Sequence, residues 1–505
     1  MFEKITPEEA GVSSFEVAEF IRNLNKRGMQ MHSLLMMKGD KLFAEYYWAP
    51  FDANFTHRMY SQTKSYTAVA IGLLEEEGKL SLDDPMSKYF TEKIDTPQHM
   101  HLQNQTIRQM LTMTTVGAPG VWFNTDYDDR TWMYFNHNRD GDLRCPDTIW
   151  EYDSAGSQVL SNLVEKLSGM STFDYLNEKI FRELGTFKTA RMLRVRNGDS
   201  WGDSALLCTA RDMVSFARFV MNYGTWGDKR LMNERYLREA TSALKDNIEY
   251  EHSVFQHGYG YQIWRTEQNG FAFNGMGSQY TVCLPDKDII FSCTADTQGH
   301  PHAQDLILGY FFDLIAENIS AEPLPEDPEA YEYLEAETSD LTLYAIQGAP
   351  DSSMRASLSG SEYICDENPM GIKSFSFSFS EDGKRGELTY VNEQGRKCLP
   401  FGINHNVFCK FPELGYSNEI GGARTTDGFT YVAAVSAAWR QEDKLVLDVQ
   451  IIDKYFGNGL FIFAFNGDYA TVRMKKTAED FMGKYLGTAN AHLVKKTPKI
   501  VKNKD

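Results

Sequence analysis

Residues 60–80 read YSQTKSYTAVAIGLLEEEGKL, and they pose a problem about one lysine. Ala68, Val69, Ala70, Ile71, Leu73 and Leu74 form a helical run too apolar to be solvated, with Gly78 as its stop signal. Ser61 and Lys64 stand at its head, close to one turn apart, so their side chains share a face. A lysine aimed into a core is either wasted or employed. At a helix N-terminus the backbone donors and the positive end of the dipole favour a developing serine alkoxide, while burial disfavours the lysine ammonium and pushes it toward the neutral amine. A neutral lysine can take the serine proton. Such general-base help is typically worth ~10² to 10⁴-fold in rate, and an unaided hydroxyl is a weak nucleophile.

Spacing alone does not decide the matter, because Ser242 and Lys245 repeat it in REATSALKDNIEYE. There charges follow and no apolar helix does. The context of Ser61 is what separates the two.

The chain has 505 residues, 42% hydrophobic and 13% aromatic, which suffices for buried cores and exceeds one typical domain. A net charge of -19 argues against a nucleic-acid footprint, so no nucleic-acid partner is expected. The basic end VKKTPKIVKNKD reads as a solvated terminus. No run approaches the roughly 18 apolar residues of a membrane helix, and MFEKITPEEAGVSS lacks the apolar core of a signal peptide, so no membrane partner and a cytoplasmic setting are expected. Seven cysteines, an odd number without a CxxC pair, read as reduced and mostly buried thiols.

Helical periods cover residues 15–24, 66–77, 157–168, 173–184, 210–223 and 305–319, and strand-like runs occur at HSLLMMKG, LFAEYYW, YGYQIW, FAFNG, YTVCLP and DIIFSCTAD. This mixed layout predicts a first domain over 1–320. Residues 321–341, AEPLPEDPEAYEYLEAETSDL, hold three prolines and eight acids, which predicts an inter-domain linker. From 342 to 490 short alternating strands with turn signals predict an antiparallel barrel or sandwich, with helix confined to AEDFMGKYL and a flexible tail over 491–505.

The stretch HRMYSQTKSYTAVAIGLLEEEGKLSLDDPMSKYF, followed by QTIRQMLTMTT, resembles the serine β-lactamase and penicillin-binding-protein superfamily, in its class C-like esterase and amidase branch of 6-aminohexanoate-dimer-hydrolase type. The resemblance runs from about residue 1 to 316. It implies an α+β fold, an antiparallel sheet flanked by helices with a helical subdomain, followed here by an all-β antiparallel barrel of lipocalin-like kind. It also implies that Ser61 is the nucleophile. The family's Tyr-x-Asn or Tyr-x-Ser falls on Tyr152-Asp153-Ser154 in CPDTIWEYDSAGSQVLSNLVEKLSG. Tyr416-Ser417-Asn418 is the better literal match, but it lies inside the strand-rich region and downstream of everything else, so Tyr152 is preferred. Lys64 and Tyr152 would then share the proton transfers as a coupled pair. The third element, Lys-Thr-Gly or His-x-Gly in the family, reads Phe273-Asn274-Gly275 and carries no cation.

That departure counts against substrates recognised by a carboxylate, penicillins and D-alanyl-D-alanine among them. An oxyanion hole of the Ser61 and Met276 backbone N–H groups needs only that the strand lie close, which Gly275 permits. Gln62, Ser154, Phe273, Asn274 and Gly275 are the implied substrate contacts. The aromatic run VWFNTDYDDRTWMYFNHN is either a wall for an apolar substrate or loop packing, and HGYGYQIW reads as a strand lining the cleft. His99 with His101 and His300 with His302 read as loop histidines, not metal ligands, since no acidic or cysteine pattern accompanies them.

The resulting expectation is a serine hydrolase cleaving an amide or ester of a small molecule or short peptide, with neither metal nor organic cofactor. A β-lactamase or D-alanyl-D-alanine carboxypeptidase is one alternative. A catalytically silent binding or regulatory protein on the same fold is the other.

Overall fold

A computed structural model describes residues 2–120, 122, 128–137, 143–300, 302–415, 417, 419–421, 430–478 and 485–494. Contacts divide the chain into two compact units, one running to Thr342 and taking in residues 417–423, the other formed by the rest.

The first unit is built on a seven-stranded sheet in the order Glu3–Lys4, Lys41–Tyr47, Met31–Lys38, Ile289–Ala295, Gln279–Leu284, Phe271–Gly275, Trp264–Arg265. The main pairings are antiparallel, with Met37 opposite Ile290 and Phe273 opposite Thr281, while Glu3–Lys4 joins its neighbour in parallel. Both ends of the unit thus supply strands, as the sequence predicts. The run MHSLLMMK has no polar alternation because both faces of its strand are covered. Leu35 and Met37 enter one apolar cluster, Leu34 and Met36 the other, as a period of two requires.

The Ser14–Lys26 and Ala303–Tyr310 helices cover one face through Val17, Phe20, Ile21 and Ile307. The Thr63–Glu76, Ser154–Ser168 and Ala210–Met221 helices fill the other. Two expected helices are interrupted: residues 177–181 and 311–316 each form a π-helical turn inside an otherwise α-helical stretch.

Two expectations are corrected. YGYQIW is not a continuous strand: Trp264 pairs in Trp264–Arg265, Tyr259 makes only isolated bridges to Lys245 and Trp264, and Gln262 at φ 56° turns the chain between them. Its backbone is satisfied there, the Gln262 N–H donating to Leu111 O (2.9 Å) and its carbonyl accepting from Ser65 Oγ (2.6 Å). Residues 321–341, expected as an inter-domain linker, include a helix. Asp327 caps a Pro328–Thr338 helix that buries Ala330 and Leu334, an i, i+4 pair, and Tyr333 donates to Glu19 (2.7 Å) on the Ser14–Lys26 helix. The acids occupy the outer face and mask that spacing.

The second unit is a ten-stranded sheet closed by a short parallel pairing of Gly402 with Ser436 and Ile403 with Ala437. Nine strands form the ring, and Val407–Leu414 pairs alongside Thr430–Gln441. In Ser374–Phe379 the alternation SFSFSF sends Phe375 and Phe377 inward against Phe463, with ring centroids 5.1 and 4.9 Å apart, so the interior there is packed with aromatics. The expected helix at AEDFMGKYL and the tail expected over 491–505 lie outside the described residues, apart from Ala478, Tyr485 and Leu486 of the former and residues 491–494 of the latter, which are not tail but the end of the Gly487–Val494 strand. The cysteines are free thiols, but Cys145 and Cys398 are exposed, so the expectation of mostly buried thiols holds only for Cys208, Cys283 and Cys293.

Candidate active site

Ser61 lies in a 3-10 turn, Tyr60–Gln62, that feeds directly into the Thr63–Glu76 helix. Tyr60 has φ 46°, a left-handed conformation that costs a non-glycine residue roughly 1 to 3 kcal/mol. The Arg58 guanidinium, 4.3 Å from the Tyr60 ring, packs on it. The turn leaves Ser61 half-buried at a cleft of about 350 Å³ while the residues behind it are buried.

Lys64 Nζ donates to Ser61 Oγ at 3.0 Å and to the Asp203 carbonyl oxygen at 2.7 Å. The Asp203 carboxylate stands 3.7 Å from the same Nζ, with the two side chains only 9% and 2% exposed. Burial pushes the Asp203 carboxyl upward, opposed by the charges of Lys64, Arg58 and Arg130. This carboxylate is absent from the sequence reading, which leaves Lys64 surrounded by apolar groups. Asp203 sits in SWGDS ahead of the Leu206–Cys208 strand, and no motif marks it.

Tyr152 reaches the cleft because Asp153 caps the Ser154–Ser168 helix. Asp153 Oδ1 accepts from the Gly156 N–H (3.0 Å) and Oδ2 from Thr115 Oγ1 (2.7 Å). The Tyr152 ring stacks on Trp264, centroids 5.7 Å apart at 17°, and Lys64 Nζ lies 5.1 Å from its centroid. Serine, lysine and tyrosine are therefore together, and the lysine meets the tyrosine over its ring.

The Phe271–Gly275 strand closes the other side. A β-carbon on residue 275 would lie 2.2 Å from Met59 O and 3.3 Å from Gln62 N, so only glycine lets the strand approach the serine turn. Asn274, Gly275 and Met276 line the cleft, Met276 being 46% exposed. Phe273 and Gln62 do not. Phe273 points to the opposite face, 5.6 Å from the Phe216 ring, and Gln62 is buried beside Thr281. Both implied substrate contacts are thereby corrected, Phe273 because strand neighbours alternate faces and Gln62 because it turns into the sheet. Ser154, on the first turn of its helix, is also not among the cleft-lining residues.

The remaining wall combines Tyr250, Trp264 and Tyr280 with His252, His300, His302, Gln298 and Gln304. The histidines at 300 and 302, read as plain loop residues, thus face the cleft, and among the described residues no group is arranged to hold a metal ion. His99 accepts from the His101 N–H at a helix start (3.2 Å). Of the aromatic run at 121–138, residues 121, 123–127 and 138 lie outside the described residues, while Met133, Tyr134 and Phe135 pack in the core. Ser242 Oγ donates to Glu239 O (2.8 Å) and Lys245 pairs with Asp147, so the second S-x-x-K serves structure. Of the alternative Tyr-x-Asn, Tyr416 and Asn418 lie outside the described residues.

A family model described as Beta-lactamase matches residues 17–308. The 6-aminohexanoate-dimer hydrolase of Paenarthrobacter ureafaciens is 23% identical over 300 residues, 54% of this chain and 74% of that protein. Penicillin-binding protein 4* of Bacillus subtilis (strain 168) is 30% identical over 150 residues, 28% of this chain and 31% of that protein. Among solved structures, one from Bacillus anthracis described as a candidate 6-aminohexanoate-dimer hydrolase superimposes with a TM-score of 0.52 at 16% identity, covering 65% of this chain and 89% of that one. That likeness is one of fold.

Proposed function

The chain belongs to the β-lactamase family, and from that premise we propose that it is a serine hydrolase that opens an amide or ester of a small molecule or short peptide through an acyl-enzyme on Ser61. The observation that carries the reading is the 3.0 Å hydrogen bond from Lys64 Nζ to Ser61 Oγ at the floor of a cleft. Ser61 Oγ attacks the carbonyl carbon, its proton passes to the Lys64 and Tyr152 pair, and that proton then goes to the leaving amine or alcohol. Water repeats the sequence to release the acid. The Ser61 and Met276 N–H groups hold the oxyanion, where losing one donor typically costs ~10² to 10³-fold.

The substrate class follows the first relative, whose name is that of an amide-dimer hydrolase. The aromatic side of the cleft, Tyr152, Tyr250 and Trp264, suits an apolar chain on either side of the scissile bond. The setting proposed is cytoplasmic, which free cysteines suit. Among the described residues no helix is long and apolar enough to cross a membrane.

A fluorophosphonate probe tests the proposal. It should label the wild-type protein and not Ser61→Ala; equal labelling of both, or none of either, would leave the silent-protein alternative standing. A chromogenic cephalosporin beside p-nitrophenyl esters and short linear amides then separates this reading from a β-lactamase, which would turn over the first fastest.

A further inference from the structure

We propose that Asp203 is a positioning residue for Lys64: its buried carboxylate holds the Nζ group against Ser61 and takes up the third ammonium proton, so that Lys64 meets the serine as an amine. The inference rests on the Ser61 and Lys64 reading above and explains how that lysine becomes a base.

Three facing groups define the geometry at Nζ. Ser61 Oγ at 3.0 Å and the Asp203 carbonyl at 2.7 Å are hydrogen-bonded to it, and Asp203 Oδ2 at 3.7 Å lies at ion-pair distance. The Tyr152 ring closes the remaining side at 5.1 Å from its centroid. One residue therefore grips the lysine twice, through its backbone and its carboxylate. An ammonium so placed has no lone pair for the serine proton, so one N–H must be given up before Ser61 can be deprotonated. The carboxylate is an acceptor already beside Nζ, in the same buried site.

Arg58 and Arg130 also act on Asp203. Arg58 is committed elsewhere, donating to Ser204 O (3.0 Å) and Ser204 Oγ (2.9 Å) and lying 4.3 Å from both the Tyr60 and Trp201 rings. Lys64 lies at ion-pair distance from the Asp203 carboxylate, and Arg58 and Arg130 add positive charge that opposes the effect of its burial.

The protons balance over a turnover. The Nζ–H nearest Asp203 moves to Oδ2 as that side chain closes the gap, giving amine and carboxylic acid. Ser61 Oγ–H then gives its proton to Nζ as Oγ bonds to the substrate carbonyl carbon, and Nζ, with the Tyr152 phenol, passes it to the leaving group as the scissile bond breaks. In deacylation Nζ takes a proton from water and returns one to Ser61 Oγ, while Oδ2 hands its proton back at the end. Resting separations longer than a hydrogen bond are ordinary before substrate binds.

The experiment measures kcat and KM of wild type and Asp203→Asn for a p-nitrophenyl ester between pH 5 and 10. Asn keeps the backbone contact and the shape and removes the negative charge and the group that can take a proton. The expected result is KM within about threefold and kcat down about 10²-fold at neutral pH, with the variant's rate climbing toward alkaline pH where the wild type is flat. Formate should restore part of the Asp203→Ala rate at neutral pH, which keeps the test decisive if Asp203→Asn does not fold. A variant profile of unchanged shape, an acid limb displaced to lower pH, or no rescue would overturn the proposal, the second result meaning that the carboxylate only restrains the ammonium. Failure of the hydrolase reading looks different, because wild type would then neither turn over ester nor take the fluorophosphonate.

Discussion

The Met59 carbonyl oxygen lies 2.2 Å from the place a β-carbon on residue 275 would occupy, so the strand behind the cleft and the turn that carries Ser61 touch backbone to backbone. Nothing larger than hydrogen fits between them. The contact sets how closely the strand before Met276 approaches the Ser61 turn, and Ser61 and Met276 are the two residues proposed to hold the oxyanion.

Gly275→Ala should therefore separate activity from stability. The strand must retreat from the serine turn, and kcat is expected to fall ~10² to 10³-fold, the cost of a misplaced oxyanion donor. Stability should fall by only about 1 to 3 kcal/mol, as for other overpacked sites. Thermal melts and ester kinetics on the same preparation check this. A loss of rate no larger than the loss of folded protein would remove Gly275 from the site.

Tyr152→Phe tests the phenol without disturbing the ring. The stack on Trp264, 5.7 Å between centroids, and the Lys64 contact over the ring face both survive the change. Loss of the hydroxyl alone should lower kcat about 10²-fold with KM within about threefold, if the phenol shares the proton transfers. A near wild-type kcat in Tyr152→Phe combined with a large loss in Tyr152→Leu would assign the residue to holding Lys64 instead.

What the sequence made legible was local or strictly periodic. The buried helix behind Ser61 declared itself by its apolar run, and the inner strand Met31–Lys38 by the apolar run Leu34 to Met37. Tyr152 followed from chain order and the helix after it. Asp203 was not legible, because its contact with Lys64 joins residues 139 positions apart and an aspartate in a loop looks like any turn residue. The helix Pro328–Thr338 was hidden by its acids, and the histidines at 300 and 302 by having no partner in sequence. Phe273 was legible as a residue and misplaced by one side of a strand.

Acid should weaken the protein through a buried pair of histidines. His32 Nδ1 and His57 Nε2 lie 3.2 Å apart and are fully buried against Phe51, with Thr294 Oγ1 3.3 Å from His57 Nε2. Burial pushes His57 down to about 3 and His32 well below its ordinary value, the latter also through its neighbour His57. The folded state thus leaves both neutral where the unfolded chain, with a pKa of about 6.5, takes up protons. Their contribution is intact above about pH 6.5 and is lost as pH falls from there toward 3, at roughly 1.4 kcal/mol per histidine per pH unit. Thermal unfolding at pH 7 and pH 5 should show a drop that His57→Gln reduces. Equal drops in both proteins would place the acid sensitivity in other groups.

The last prediction turns on which side of the strand residue 273 occupies. A lysine at the family's third element would be expected to restore recognition of carboxylate-bearing substrates if Phe273 were at the cleft. It is fully buried instead, 5.6 Å from the Phe216 ring and 6.5 Å from Tyr66, while Asn274 lines the cleft. Phe273→Lys places an unpaired ammonium among aromatic rings and should cost roughly 3 kcal/mol or more, with no gain in any activity. Asn274→Lys should fold normally and favour a carboxylate-bearing ester over its neutral counterpart by about tenfold in kcat/KM, the worth of ~1.4 kcal/mol. The discriminating measurement is a melt and a two-substrate comparison for each variant. If Phe273→Lys folds well and gains the carboxylate preference, the strand is paired one residue out of the register described, since a single-residue slip exchanges the two faces.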